Sequence, residues 1–399
     1  MGFSFVHCAD LHLGRKPDGS EERFFDFGAA FMEIAKYAVE NDADCLLVAG
    51  DFFDKRSINA ETLELALETL KYLKLENLPV IAIEGNHDRS NFREGRSWLE
   101  YLDGAGYIKL LKPKGEALEL ISHGQYGGCV TDIKGYKIIG LGYPGALTRQ
   151  RLIELSELEK DKFILMLHAG VERFVDQDDS GIRLREFDDL KDNIIYAALG
   201  HIHSRQETAG FLYNPGAPEN VDIDEGRYAE KGFYHVKIDD MGNVDVRHMQ
   251  SKRRPVYFIS VDVGKCEDAD GIYNAAKEAA DAEGIGEGAV VELRLYGKTD
   301  MDTAVVDRRR VEDVLYALGC VQVKVVDELN MLFGDAPDMF ERNVIEEGII
   351  GALAEEMGLA ARGADIAQDI IDIKQMLLDQ AEPADIEMAI EALRMGGDR

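Results

Sequence analysis

The sequence predicts an α/β fold of layered sheets covered by helices, followed by a small α+β cap and a helical tail. Three observations carry this. Short apolar runs end one after another at a polar residue, helix-period patterns separate the first of them, and the patterning changes near residues 250 and 330. A chain of 399 residues also exceeds the roughly 100–200 residues of one typical domain, so two or three units are expected.

The first runs are Phe3–Ala9 before Asp10, Cys45–Ala49 before Gly50-Asp51, and Val80–Ile83 before Glu84-Gly-Asn-His87. Phe163–Leu167 then precedes His168, and Ile194–Leu199 precedes Gly200-His201. Apolar runs of this length, bounded by turn signals, read as strands buried on both faces. Helical patterns over Glu22–Glu40 and Ala60–Leu75 separate the first three, which gives strand, helix, strand, helix, strand. In such sheets ligands gather beyond the carboxyl ends of the strands, where these polar residues fall.

Lys252-Arg-Arg-Pro255 marks a boundary. Beyond it Val256–Val263, a helical Glu267–Glu283, Ala289–Tyr296, a helical Thr303–Leu318 and Cys320–Val326 make a βαβαβ pattern, the α+β cap of residues 251–330. From Met331 the spacing becomes helical, with Ile366, Ile370, Ile373 and Leu377 on one face and Ile386, Ile390 and Leu393 on another after Pro383. Residues 331–399 carry 16 acidic and 5 basic side chains, so this tail would repel DNA, while its apolar faces suit a protein partner or, alternatively, packing back on the cap as a third structural unit. No internal repeat or low-complexity tract interrupts the chain.

Hydrophobic residues at 46% and charged residues at 30% give a soluble globular balance. The net charge of -31 excludes a protein that simply coats nucleic acid, so any contact with DNA must come from local basic loops and bound metal. Five scattered cysteines without a C-x-x-C pair read as reduced core thiols of a cytoplasmic protein. The N-terminus shows neither signal-peptide flanks nor a cleavage site, and no segment is long enough to span a bilayer.

Five of the nine histidines sit in the strand-end motifs. These are Asp10-Leu-His12, Gly50-Asp51-Phe-Phe-Asp54, Gly85-Asn86-His87-Asp88, His168-Ala-Gly170 and Gly200-His201-Ile-His203. Imidazole and oxygen donors converging on one sheet edge suit intermediate divalent metals, and in D-x-H and H-x-H the paired side chains point the same way along an extended segment. Two ions roughly 3.5–4 Å apart clamp the attacking and leaving oxygens of a phosphoryl displacement. One such motif alone means little, because buried histidines are usually just hydrogen-bonded. His7, His123, His235 and His248 lack matching partners and are read as structural.

In this order the five motifs resemble those of the calcineurin-like metallophosphoesterases. The resemblance implies that Asp10, His12, Asp51 and His203 hold one metal and that Asp51, Asn86, His168 and His201 hold the other, with Asp51 bridging. It implies further that His87 assists the phosphate or the leaving oxygen, paired with Asp54. The wider text, His7-Cys-Ala-Asp-Leu-His-Leu-Gly14, Leu47-Val-Ala-Gly-Asp51, Ile83-Glu-Gly-Asn-His-Asp-Arg89 and Ala198-Leu-Gly-His-Ile-His203, is similar to the SbcD-type break-repair nucleases. That likeness implies a manganese-dependent exonuclease or endonuclease acting on DNA ends, a homodimer, and a coiled-coil ATPase of the SbcC type docked on the tail. Asp54, where many archaeal members have histidine, and Asn214-Pro-Gly-Ala-Pro-Glu219 depart from the family's text.

Arg15, Lys16, Lys55, Arg56, Arg89, Arg93, Arg96 and Arg205 follow the motifs closely, as a phosphate-tracking rim would, although ordinary solvated loop charge gives the same pattern. Arg308-Arg-Arg310 reads as the solvated face of a helix. Two rival functions remain: a phosphodiesterase of small substrates such as cyclic nucleotides, which needs neither cap nor tail, and a non-catalytic scaffold, which would have no reason to keep every ligand.

Overall fold

The computed structural model describes residues 2–328 apart from 91–94, 116, 125–127, 172–181, 228–229 and 298–305. The expected helical tail and Arg93 therefore lie outside the described residues. In chain order the elements are β1 (Phe3–Cys8), α1 (Glu21–Glu40), β2 (Cys45–Ala49), α2 (Ala60–Leu75), β3 (Val80–Ile83), α3 (Trp98–Gly104) and β4 (Lys109–Leu110). Next come β5 (Val130–Ile133), β6 (Tyr136–Gly142), α4 (Thr148–Leu158), β7 (Phe163–His168), β8 (Ile194–Gly200), β9 (Gln206–Thr208), β10 (Leu212–Asn214), β11 (Gly232–Ile238) and β12 (Val244–Gln250). The cap contributes β13 (Val256–Asp262), α5 (Ala269–Ala282), β14 (Val290–Tyr296), α6 (Arg308–Tyr316) and β15 (Gln322–Asp327).

Two six-stranded sheets, β12-β11-β1-β2-β3-β4 and β5-β6-β7-β8-β10-β9, stack face to face. The period of two along each strand explains the layering. Phe3, Phe5, Leu47, Ala49, Ile81 and Ile83 of the first sheet meet Ile164, Met166, Tyr196 and Ala198 of the second. The intervening Val6, Cys8, Leu46, Val48 and Ala82 turn outward onto Phe27, Phe31 and Ile34 of α1 and Ala66, Leu70 and Leu73 of α2. On the far side Phe163, Leu165 and Leu167 pack with Leu152 and Leu155 of α4. Each fully buried side chain of this kind contributes about 1.5–3 kcal/mol, which is why these runs carry almost no polar residues. Side-chain caps from Ser20 to Arg23 N and from Asn59 to Thr62 N fix where α1 and α2 begin.

β1, β2 and β3 run parallel, as do β6, β7 and β8, so the carboxyl ends of the strands bearing the motifs share one edge of the stack. In the cap, β13, β14 and β15 are also wholly parallel, with α5 and α6 as crossovers. Core and cap belong to one compact unit ending at Glu328. Their joint is polar: buried Arg23 of α1 donates to Gln322 of β15 and to Glu219 of the core, both at 3.1 Å, and to Asp26 at 2.8 Å.

All five cysteines are free and all but Cys266 are buried, burial pushing the Cys8 and Cys45 thiols well above their ordinary range. Among the described residues no helix is long and apolar enough to cross a membrane.

Candidate metal centre

The chain leaves β1 and β2 through residues held in the left-handed region: Asp10 at φ 54°, His12 at 44° and Asp51 at 50°, with His201 at 87° after β8. For residues other than glycine this conformation costs about 1–3 kcal/mol each and persists only where the surroundings enforce it. Here main-chain bonds lace the two loops together, Asp10 N to Gly50 O and His12 N to Asp51 O, both 3.0 Å. The glycines of the motifs make room for this. A Cβ on Gly50 would lie 2.3 Å from His168 Nδ1, and one on Gly85 would lie 2.1 Å from Asp51 Oδ1.

Asp10, His12 and His203 each offer a ligand atom within 4.8 Å of one another, and so do Asp10, Asp51 and His168. Asp51 Oδ2 stands between His168 Nε2 at 3.2 Å and His12 Nε2 at 3.8 Å. Asn86 Oδ1 lies 3.2 Å from His168 Nε2 and 3.1 Å from His201 Nδ1. The seven side chains expected to hold metal are thus gathered in one place.

Tautomers decide what this cluster can bind. His168 Nδ1 donates to Ala49 O at 2.8 Å, so a neutral ring directs a bare Nε2 lone pair at two oxygen acceptors. His203 Nδ1 donates to Glu225 Oε1 at 2.6 Å, which leaves its Nε2 lone pair 3.2 Å from His12 Nε2. Lone pairs converging in this way are satisfied by a cation or a proton. Although burial opposes it, the Asp51 carboxylate accordingly raises His168 to about 9, and the same pairing, together with the His87 N–H at 2.9 Å, holds Asp51 below the usual carboxylate range. Seven nitrogen and oxygen donors exceed what one tetrahedral ion takes, so the residues fit two intermediate divalent ions.

His87 lies at the rim, half-buried, its ring 5.1 Å from that of His12. Its partner differs from the expected one: His87 Nδ1 donates to the main-chain carbonyl of Asp54 at 2.6 Å, not to the carboxylate. The carboxylate is taken by Arg15 at 3.1 Å and lies 3.4 Å from His12 Nδ1. Burial opposes ionisation of Asp54, but His12 and Arg15 hold its pKa down.

The basic residues divide. Arg15 turns inward to Asp54 and the Val221 carbonyl, Lys16 pairs with Glu21, and Arg205 is matched by Glu207 and Glu230, each at 2.7 Å. Lys55, Arg56 and Arg89 are exposed beside the cluster, and Arg56 reaches the Asn86 carbonyl at 3.5 Å. His7 is a satisfied core residue, bonded to Tyr196 OH at 2.8 Å and Leu199 O at 3.0 Å, and burial lowers its pKa to about 3.

Two supporting residues, Glu225 and Lys231, escape sequence reasoning, and so does the role of the motif residue Asp88. Asp88 accepts main-chain N–H groups from Phe52, Phe53 and Gly85 at 2.9–3.0 Å and so ties the β2 and β3 loops together. Burial and the Asp51 charge raise it to about 7. Glu225 orients His203 and is itself gripped by the buried Lys231, which also donates to His203 O at 2.8 Å. Opposed by burial, the contacts from His203 and Lys231 lower Glu225 to about 2.

The family model described as calcineurin-like phosphoesterase matches residues 3–205. The chain is 28% identical over 402 residues to the DNA double-strand break repair protein Mre11 of Archaeoglobus fulgidus, covering 90% of this chain and 87% of that protein. To the protein of the same name from Aeropyrum pernix it is 27% identical, covering 68% of this chain and 65% of that one. With the Haloferax volcanii protein of that name it shares 22% identity, covering 92% and 76%.

Proposed function

Because this chain belongs to the calcineurin-like phosphoesterase family, we propose that it is a two-metal DNA phosphodiesterase that processes DNA ends in double-strand-break repair. The observation that carries the reading is the gathering of seven donors around Asp51, in a chain similar over 90% of its length to a break-repair protein. Asp10, His12, Asp51 and His203 would hold one ion and Asp51, Asn86, His168 and His201 the other, with manganese as the metal.

The ions supply Lewis acidity toward a phosphoryl oxygen and a nucleophile at neutral pH. Everything else falls to the chain's own residues. Asp51, fixed by the His87 main-chain N–H at 2.9 Å, sits between the two halves of the site. His87, anchored through Nδ1 on the Asp54 carbonyl, leaves Nε2 to carry a proton to the departing sugar oxygen. Lys55, Arg56 and Arg89 offer phosphate contacts in a chain whose net charge of -31 would otherwise repel DNA.

Three parts divide the work: a nuclease core over residues 1–250, a cap over 251–330 that helps grip DNA, and a tail over 331–399 that docks a coiled-coil ATPase of the SbcC type. The enzyme is cytoplasmic and works as a homodimer. Manganese-dependent hydrolysis of linear duplex DNA, assayed beside a cyclic nucleotide, tests the activity. Cleavage of DNA is the expected result; cleavage of the cyclic nucleotide alone makes it a small-substrate enzyme, and cleavage of neither makes it a scaffold. Only monomer by light scattering at micromolar concentration would refute the dimer.

A further inference from the structure

The turn Ile223–Arg227 has two working faces. Toward the metal centre, Glu225 Oε1 accepts from His203 Nδ1 at 2.6 Å, and Oε2 accepts from Val221 N at 2.9 Å and Lys231 Nζ at 2.5 Å. Toward the cap, the Arg227 guanidinium lies 3.7 Å from the centre of the Phe258 ring and pairs with Glu292, a residue only 2% exposed. Asp224 accepts from Lys324 Nζ at 3.0 Å. A Cβ on Gly226 would lie 2.9 Å from Val256 Cγ1, so the turn's backbone packs directly on β13.

We propose that Glu225 is the positioning residue for His203 and that the cap, by gripping the same turn through Glu292 and Lys324, sets the metal affinity of the His203 side of the site. The inference rests on the reading of His203 as a ligand. The geometry argues for coupling because the turn is five residues long and both of its faces are occupied. A carboxylate on the far nitrogen of a ligating imidazole fixes its tautomer and direction, and losing such a partner typically weakens metal binding about 10–100-fold. A shift of the cap that pulls on Arg227 and Asp224 moves Glu225 by the same rigid turn.

Calorimetric titration of the full chain with Mn²⁺ alone tests this. Glu225→Ala should weaken one of two binding steps about 10–100-fold and leave the other unchanged. Glu225→Gln, whose amide oxygen still accepts from Nδ1–H, should recover part of the loss. Arg227→Met combined with Glu292→Gln, which removes the Arg227–Glu292 part of the grip without leaving a buried charge and keeps the Asp224–Lys324 pair, should weaken that same step by a smaller factor. Unchanged binding in Glu225→Ala, equal weakening of both steps with a lowered melting temperature, or no effect of the cap-side pair would each overturn the proposal. Should Glu225→Ala fail to fold, Glu225→Gln and the cap-side pair decide by the same criterion. A parent chain that takes two ions but spares DNA overturns only the functional reading; a parent that takes none overturns both.

Discussion

In the proposed enzyme His87 would separate holding a metal from using it. Its Nδ1 is spent on the Asp54 carbonyl and its main-chain N–H on Asp51, so the side chain can be replaced without removing any of the seven donors. His87→Asn should therefore keep its metal while turnover falls about 10²–10⁴-fold. Metal content and single-turnover cleavage of DNA measure the two separately, and a joint loss would make His87 a ligand. At this scale the sequence was legible where chemistry lies within four residues of a strand end, as with Asp10, His12, Asp51 and His201. Glu225 and Lys231 were not, since they stand more than twenty residues beyond His203 and only the fold brings them back. The Asp54 carboxylate went to Arg15 instead of His87 because the tight turn after β2 directs its carbonyl at the imidazole.

Strand ends depend on their neighbours' lack of side chains. Gly85 follows β3, where any Cβ would meet Asp51 at 2.1 Å from Oδ1 and 2.4 Å from N, so Gly85→Ala must displace Asp51. The expected outcome is a folded protein with sharply reduced manganese binding; full metal content would show that the loop absorbs a methyl group. Another element-level prediction concerns Glu159, the buried cap residue at the end of α4. Burial opposes its ionisation, but Lys137 of β6 and the N–H groups of Lys160 and Asp161 hold its pKa below the ordinary 4.5. A lowered folded pKa means stability present above about pH 4.5 and lost as pH falls through the folded value. Glu159→Gln should thus lower the stability at neutral pH by about 1 kcal/mol given the partly exposed lysine, read as a lower melting temperature. The gap to the parent should close in acid, and a constant gap would show that the charge is irrelevant. The parallel strands β1, β2, β3, β7 and β8 were legible because burial on both faces makes them continuous apolar runs, whereas the equally parallel β6, broken by Lys137, Gly140 and Gly142, was not. The three-residue β9 and β10 were not legible either, being too short to show a period, and in the hairpin β11–β12 polar residues such as His235, Lys237, Asp245 and Arg247 break any continuous apolar run.

Across the whole molecule, a net charge of -31 belongs to a chain proposed to act on DNA, and the tail accounts for much of it with 16 acidic and 5 basic residues. If the tail docks the ATPase and has no part in cleavage, truncation after Asn330 should leave a soluble enzyme that still cuts DNA and no longer co-purifies with that partner; an insoluble product would make the tail part of the core. The strands of the separate sheet β13-β14-β15 were legible from the pattern, whereas its joint to the rest was not. Arg23, Glu219 and Gln322 are scattered along the chain and meet only in three dimensions. One geometric claim is central: Asp51, set between His12 and His168, would join two ion sites on a shared sheet edge. Counting bound manganese per chain in the parent and in Asp51→Ala tests it directly. About two ions are expected in the parent and a clear loss in the variant; one ion or none in the parent, unchanged by the substitution, would contradict the claim.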